Sequence, residues 1–132
     1  MNERDWDKLL RIHTAGRDDS HADTFRYPYE PTPYRVLERL AGSGCIRKDS
    51  TVIDYGCGKG RVGCFLAYQT GCRVIGVDHD ARLIEKALEN KQNAPRGSGS
   101  WCSGRSKAGT TKYIQNDAGI VVRDRKMRKG FD

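Results

Sequence analysis

The stretch Val52-Ile53-Asp54-Tyr55-Gly56-Cys57-Gly58-Lys59-Gly60-Arg61-Val62-Gly63, VIDYGCGKGRVG, decides the fold. Thr51 to Tyr55 reads as a buried strand, and the chain then passes straight into a run with glycine at positions 56, 58, 60 and 63. Val62, Phe65 and Leu66 take up helical spacing, and Gly71 stands where that helix stops. Arg73-Val74-Ile75-Gly76-Val77-Asp78 is a second strand, apolar and β-branched. Leu83, Ile84, Ala87 and Leu88 then line one face of a further helix, with Asp80 placed to cap it. Strand, helix, strand, helix with short links predicts an α/β fold with a parallel sheet and right-handed crossovers.

Upstream, residues 3–12 predict a short amphipathic helix with Asn2 as its cap and Trp6, Leu9, Leu10 and His13 on one face. Residues 13–31 are polar and irregular but carry Phe25, Tyr27 and Tyr29, stiffened by Pro28 and Pro31. Those aromatics either pack on the domain or line a pocket, and packing is the commoner use of such rings. Thr32 suits an N-cap and Pro33 a first helical position, ahead of a Val36, Leu37, Leu40, Ala41 stripe that ends at Gly42. Downstream, the character changes at about residue 94. APRGSGSWCSGRSKAGTT has neither helical nor strand period, and it is rich in Gly, Ser and basic residues. A strand-like patch, KYIQNDAGIVV, precedes a charged end, RDRKMRKGFD. The expected organisation is therefore 1–31, helix and aromatic-containing loop; 32–93, βαβ core; and 94–132, a basic and poorly ordered tail.

The length of 132 residues is enough for one small core, and 36% hydrophobic against 31% charged residues makes that core thin. No apolar run approaches the ~20 residues of a membrane span. The N-terminus MNERDWDKLL is charged, with no apolar signal region, so a cytoplasmic location is expected. Five cysteines with no C-x-x-C pair read as reduced, mostly buried thiols. His13, His21 and His79 have no ligand spacing, so no metal is expected. The net charge of +7 is uneven: residues 1–93 hold 15 Lys/Arg against 14 Asp/Glu, whereas residues 94–132 hold 9 against 3. Such a tail can meet nucleic-acid phosphates, although a charge run is more often only a solvated segment.

A glycine loop at the C-terminal end of a parallel strand sits where open α/β sheets bind ligands. Missing Cβ atoms let a ligand approach the backbone, and the next helix points free N–H groups at the same place. A nucleotide-like ligand follows from this geometry. The phosphate loop fails as a match, because Lys59 is followed by Gly60 and Arg61 rather than by Ser or Thr. The dinucleotide fingerprint G-x-G-x-x-G fails from Gly56 but matches from Gly58 as GKGRVG, one turn late relative to a strand that ends near Tyr55.

VIDYGCGKGRVGCFLA resembles the first motif of class I S-adenosylmethionine-dependent methyltransferases, an acid followed by G-x-G-x-G, here Asp54 with Gly56, Gly58 and Gly60. VIGVD resembles the family's second strand, ending in Asp78; DARLIEKALEN resembles the helix after it, and TPYRVLERL a helix before the first strand. The similarity covers roughly residues 32–93. It implies a Rossmann-like parallel sheet with helices on both faces, incomplete here at about three strands, and S-adenosylmethionine as cofactor. It places Asp54 near the cationic methionine end, and Asp78 on the ribose hydroxyls. Asp78 suits a nicotinamide cofactor equally well, whereas Asp54 would sit awkwardly beside a pyrophosphate. Asp117, in KYIQNDAG, resembles the acid after the third strand that lies near the adenine, and it reads equally well as half of a turn-forming Asn-Asp pair. Cys57, Lys59 and Arg61 fill free positions of the motif and receive no role.

The family has a seven-stranded sheet whose substrate-gripping residues usually follow the fourth strand. Nothing here resembles an Asn/Asp-Pro-Pro-Tyr or Asn-Pro-Phe segment, so no catalytic residue and no methyl acceptor is assigned. The first strand, central in the family, becomes an exposed apolar edge. Two origins are expected for such a chain. It is truncated or frame-shifted after about residue 93, or a partner chain completes the sheet. The alternatives in function are a nicotinamide-dinucleotide-binding protein and a non-catalytic nucleic-acid-binding fragment.

Overall fold

The structure, a computed structural model, describes residues 1–16, 29–95 and 110–115. Its elements follow in the order α1 (Glu3–Leu10), α2 (Tyr34–Gly42), β1 (Thr51–Tyr55), α3 (Arg61–Thr70), β2 (Arg73–Asp78), α4 (Ala81–Asn93) and β3 (Thr110–Gln115). The three strands form one parallel sheet in the order β1-β2-β3, with Asp54 beside Gly76 and Gly76 beside Tyr113. The expected α/β fold with a parallel sheet is borne out; its described helices pack on one face, and among the described strands β1 lies at the edge. The tail expected beyond residue 94 falls largely outside the described residues, as do Phe25, Tyr27 and the far end of the KYIQNDAGIVV patch.

The helix ends show why these segments fold as they do. Asn2 and Asp5 cap α1 reciprocally, each side chain accepting the other's backbone N–H. Arg11 then turns left-handed (φ 56°) and stops the helix. Trp6 and Leu10 are buried, but Leu9 is exposed and His13 lies beyond the helix on the surface. The apolar row continues instead to Ile12, because the left-handed turn redirects the chain. α2 begins one residue later than expected. Pro33 is extended (φ −57°, ψ 138°) and occupies the N-cap, so Thr32 is not the cap. The free Tyr34 N–H is satisfied by Glu3 Oε1 of α1 at 3.0 Å, a cap supplied from another helix. Tyr34 and Leu37 face the core, and Val36 and Leu40 face out. Gly71 closes α3 in the left-handed region, and the Asp80 carboxylate caps α4 by accepting the Arg82 N–H at 2.9 Å.

Strand alternation puts Val52, Asp54, Val74, Gly76, Asp78, Thr111 and Tyr113 on one face of the sheet. α3 and α4 pack on that face, α3 through Cys64 and Phe65 with Val74, and α4 through Ile84 and Ala87 with Tyr113. α1 and α2 join the same core, where the Trp6 ring meets Phe65 edge-on at 4.8 Å between centroids. The opposite face carries Ile75 and Val77, both buried, together with Ile53 and Tyr55, both exposed.

Candidate functional site

The glycine loop is shaped by the end of β2. Gly56 and Cys57 both donate their N–H to the Val77 carbonyl, at 2.7 and 3.0 Å, so the chain wraps across the strand next door. Gly58 donates to Asp78 Oδ2 at 2.9 Å, and the Gly60 N–H closes a turn on the Cys57 carbonyl at 2.9 Å. Gly56, Gly58 and Gly60 all hold positive φ (74°, 53° and 87°), a conformation that glycine adopts without the Cβ penalty other residues carry. Gly60 is the N-cap of α3, so the helix begins at the loop.

The space freed by the missing Cβ atoms is not used alike. A Cβ at Gly56 would meet nothing within 4 Å. One at Gly58 would overlap the Tyr29 ring, and one at Gly60 would come within 2.5 Å of the Tyr113 hydroxyl. Tyr113 also fills the space at Gly63 and Gly76, where its hydroxyl and ring would lie 2.9 and 2.6 Å from an added Cβ. Its hydroxyl donates to the Gly60 carbonyl at 3.2 Å. Gly63 is thus a packing glycine that lets α3 sit close on β2 and β3, which accounts for the third position of the GKGRVG match. Tyr29 packs on the loop and hydrogen-bonds to the Thr14 carbonyl at 2.6 Å, so of the three upstream aromatics the described one packs. Neither filler was visible in the motif, because each ring comes from a distant part of the chain.

The two acids expected at the strand tips share one face of the sheet, on neighbouring strands. Asp78 is buried, and its two oxygens accept the N–H groups of Gly58 and Asp80, each at 2.9 Å. Asp54 lies beside Gly76, whose lack of a side chain leaves Cys57 and Tyr113 as the near neighbours there. Asp54 Oδ2 is buried without a hydrogen-bond partner. Burial, and then the negative charge of Asp78, push the Asp54 carboxyl up to about 6. Burial, with both acids adding to it, also raises the Cys57 thiol well above its ordinary range, so it is no ready nucleophile. Open backbone at Gly56, an orphan carboxylate oxygen and a second, backbone-anchored carboxylate thus stand together at the C-terminal ends of β1 and β2. Asp117 lies outside the described residues.

Arg61 has a role that sequence reasoning missed. Its guanidinium is 4% exposed and binds Thr14 Oγ1 at 2.7 Å, Glu3 Oε2 at 2.7 Å and the Thr32 carbonyl at 3.0 Å, above the Tyr34 ring at 4.2 Å. Asp7 adds a longer ion pair at 3.9 Å and accepts both the backbone and hydroxyl donors of Thr14. The first residue of α3 therefore ties the glycine loop to α1. The available signal was Glu3 and Asp7, one helical turn apart on α1, needing a cation. Asn90 of α4 completes the support, donating to the Lys59 carbonyl at 2.9 Å and accepting from the His13 N–H at 3.0 Å. A hollow among Asp7, His13, Lys59, Lys86 and Glu89 lies on the Lys59 side of the loop and touches neither site acid.

Residues 46–96 match a family model described as a methyltransferase domain. A protein-lysine N-methyltransferase of Saccharolobus islandicus is 33% identical over 79 residues, 58% of this chain and 49% of that protein. A ribosomal protein L11 methyltransferase of Methylobacillus flagellatus is 35% identical over 60 residues, 46% of this chain and 20% of that protein. Among solved structures, an RNA methyltransferase from Salinibacter ruber in complex with S-adenosyl-L-homocysteine superposes with a TM-score of 0.52 at 25% identity, covering 67% of this chain and 50% of that one. The chain spans half or less of the length of the curated relatives it matches. Over that span the resemblance to the S-adenosylmethionine-dependent methyltransferases, and to their Rossmann-like fold, is borne out.

Proposed function

We propose that this chain is the S-adenosylmethionine-binding part of a methyltransferase, with residues 32–93 as its binding core. The observation that carries the proposal is the unpartnered, buried Oδ2 of Asp54 beside the open backbone of Gly56 and on the same sheet face as Asp78. An ammonium group satisfies that oxygen, directly or through a water, and relieves the burial that raises the carboxyl. Asp78, held by the Gly58 and Asp80 N–H groups, keeps lone pairs to accept the two ribose hydroxyls. Gly56 leaves the backbone bare for close approach, and Gly58 and Gly60 shape the loop around their aromatic fillers. When bound, the cofactor supplies an activated methyl group on a sulfonium, and the chain's own contribution is to hold and orient it.

The relatives are named for a protein lysine, ribosomal protein L11 and RNA, and each resembles this chain over part of its own length. Three acceptor classes among relatives of one core support an acceptor chosen by residues outside residues 32–93. No helix among the described residues is long and apolar enough to cross a membrane. A cytoplasmic setting is proposed in keeping with free, buried Cys57, Cys64 and Cys72. A nucleic-acid role for the basic tail rests on residues mostly outside those described.

Calorimetric titration tests the proposal. S-adenosylmethionine gives saturable heat with the full chain, and Asp78→Ala and Asp54→Ala abolish it. NAD gives none, since the glycine pattern that would favour it is accounted for by the packing of Gly63 on Tyr113. Saturable heat with NAD alone, or none with S-adenosylmethionine, overturns it.

A further inference from the structure

We propose that Tyr29 is a positioning residue for the Asp78 carboxylate, acting through Gly58; this rests on the reading of Asp78 as the acceptor of the ribose hydroxyls. Gly58 is buried, turns at φ 53° and donates its N–H to Asp78 Oδ2 at 2.9 Å. That bond fixes one oxygen of Asp78, and the Asp80 N–H fixes the other at 2.9 Å. A glycine has no side chain to define its own conformation, so its peptide swings at little cost. Something else must hold the Gly58 N–H in line with the carboxylate. The Tyr29 ring does so, since its Cδ1–Cε1 edge fills the space that a Cβ of Gly58 would take.

The ring is itself held at two ends. Its hydroxyl donates to the Thr14 carbonyl at 2.6 Å. Thr14 is buried, and Asp7 accepts its N–H and its hydroxyl at 2.8 and 2.6 Å, while its Oγ1 accepts from Arg61 Nε at 2.7 Å. Lys59, the residue after Gly58, brings its ammonium 4.7 Å from the ring centroid and donates to the Ala15 carbonyl at 3.5 Å. Directional polar contacts of this kind give the ring one place to sit, which apolar filling alone does not. A line of contact therefore runs from Asp7 through Thr14, Tyr29 and Gly58 to Asp78. Asp54, on β1, stands outside that line. Tyr29 should thus govern how the ribose end of the ligand is held and leave the methionine end alone.

Two measurements on the full chain test this. In the ligand-free chain, Tyr29→Leu should speed hydrogen exchange of the Gly58 amide and shift its resonance, while the Gly56 amide, bonded to the Val77 carbonyl, keeps its rate. By calorimetry, the same variant should weaken S-adenosylhomocysteine and 5′-methylthioadenosine by one common factor, about tenfold, since both carry the ribose and only the first carries the amino-acid group. Tyr29→Phe keeps a ring on Gly58 and should recover most of both losses. Tyr29→Met takes the place of Tyr29→Leu if that chain does not fold. Unchanged Gly58 exchange, Gly58 and Gly56 speeding together, a larger loss for S-adenosylhomocysteine than for 5′-methylthioadenosine, or a Tyr29→Phe chain as impaired as Tyr29→Leu overturns the proposal. A wild type that binds neither ligand, yet whose Gly58 exchange responds as stated, sinks the cofactor reading and leaves the hold of Tyr29 on Asp78 standing.

Discussion

Asp54 is the residue at which stability and the proposed cofactor binding oppose one another. Its folded carboxyl is raised to about 6 from an ordinary 3.8, so the fold favours the protonated form. The stability this contributes is full below pH 3.8 and lost as pH rises through 6. Asp54→Asn is therefore expected to stabilise the free chain by about 1–2 kcal/mol at pH 7, and urea titration should show that gain shrinking to nothing by about pH 4. The same variant should lose S-adenosylmethionine binding. In the wild type, affinity should fall about tenfold per pH unit below 6, with proton release on binding, read by calorimetry in buffers of different ionisation heat. The glycines separate in the same way. Gly76→Ala, which drives a methyl into Tyr113 and Cys57, should cost about 2–3 kcal/mol, whereas Gly56→Ala should cost only its left-handed strain of about 1–2 kcal/mol. Asp54 and Asp78 were picked out by the motif resemblance, and strand alternation on paired strands is what puts them on one face. The occupants of Gly58 and Gly60 were not, since a linear motif carries no information about which distant ring enters the space it leaves.

Among the elements, the first two strands fell where their β-branched runs placed them, at Thr51–Tyr55 and Arg73–Asp78. The helices were legible as elements but less so as faces. Leu9, Val36, Leu40 and Leu88 all keep helical spacing and all are exposed, because periodicity identifies a stripe but not which of its rows meets the core. Arg61 lay beyond reach for a different reason. Its position in the motif is unconstrained, and its partners come from α1, which the glycine loop meets only in three dimensions. Arg61→Ala leaves Glu3, Asp7 and Thr14 around an emptied site and should destabilise the chain by about 3–5 kcal/mol, measured by denaturant midpoint. Arg61→Lys should recover little, because a lysine cannot reach Thr14, Glu3 and the Thr32 carbonyl at once or lie flat on Tyr34.

At the scale of the whole molecule, a chain of 132 residues has only a small core and little stability to spare, so a ligand should register strongly. S-adenosylmethionine at a hundred times its dissociation constant is expected to add about 2.7 kcal/mol to unfolding, seen as a raised melting temperature that NAD does not produce. The threading of Tyr113 has one more result, and it concerns synthesis. The walls of its slot, Gly60, Gly63 and Gly76, leave the ribosome first, and the wedge that parts them follows, 53 residues after Gly60. A nascent chain that has reached α4 but not β3 carries Asp54, Gly56 and Asp78 around an unfilled gap. Competence for the nucleoside binding proposed above should therefore arrive late, when one phenol slides home.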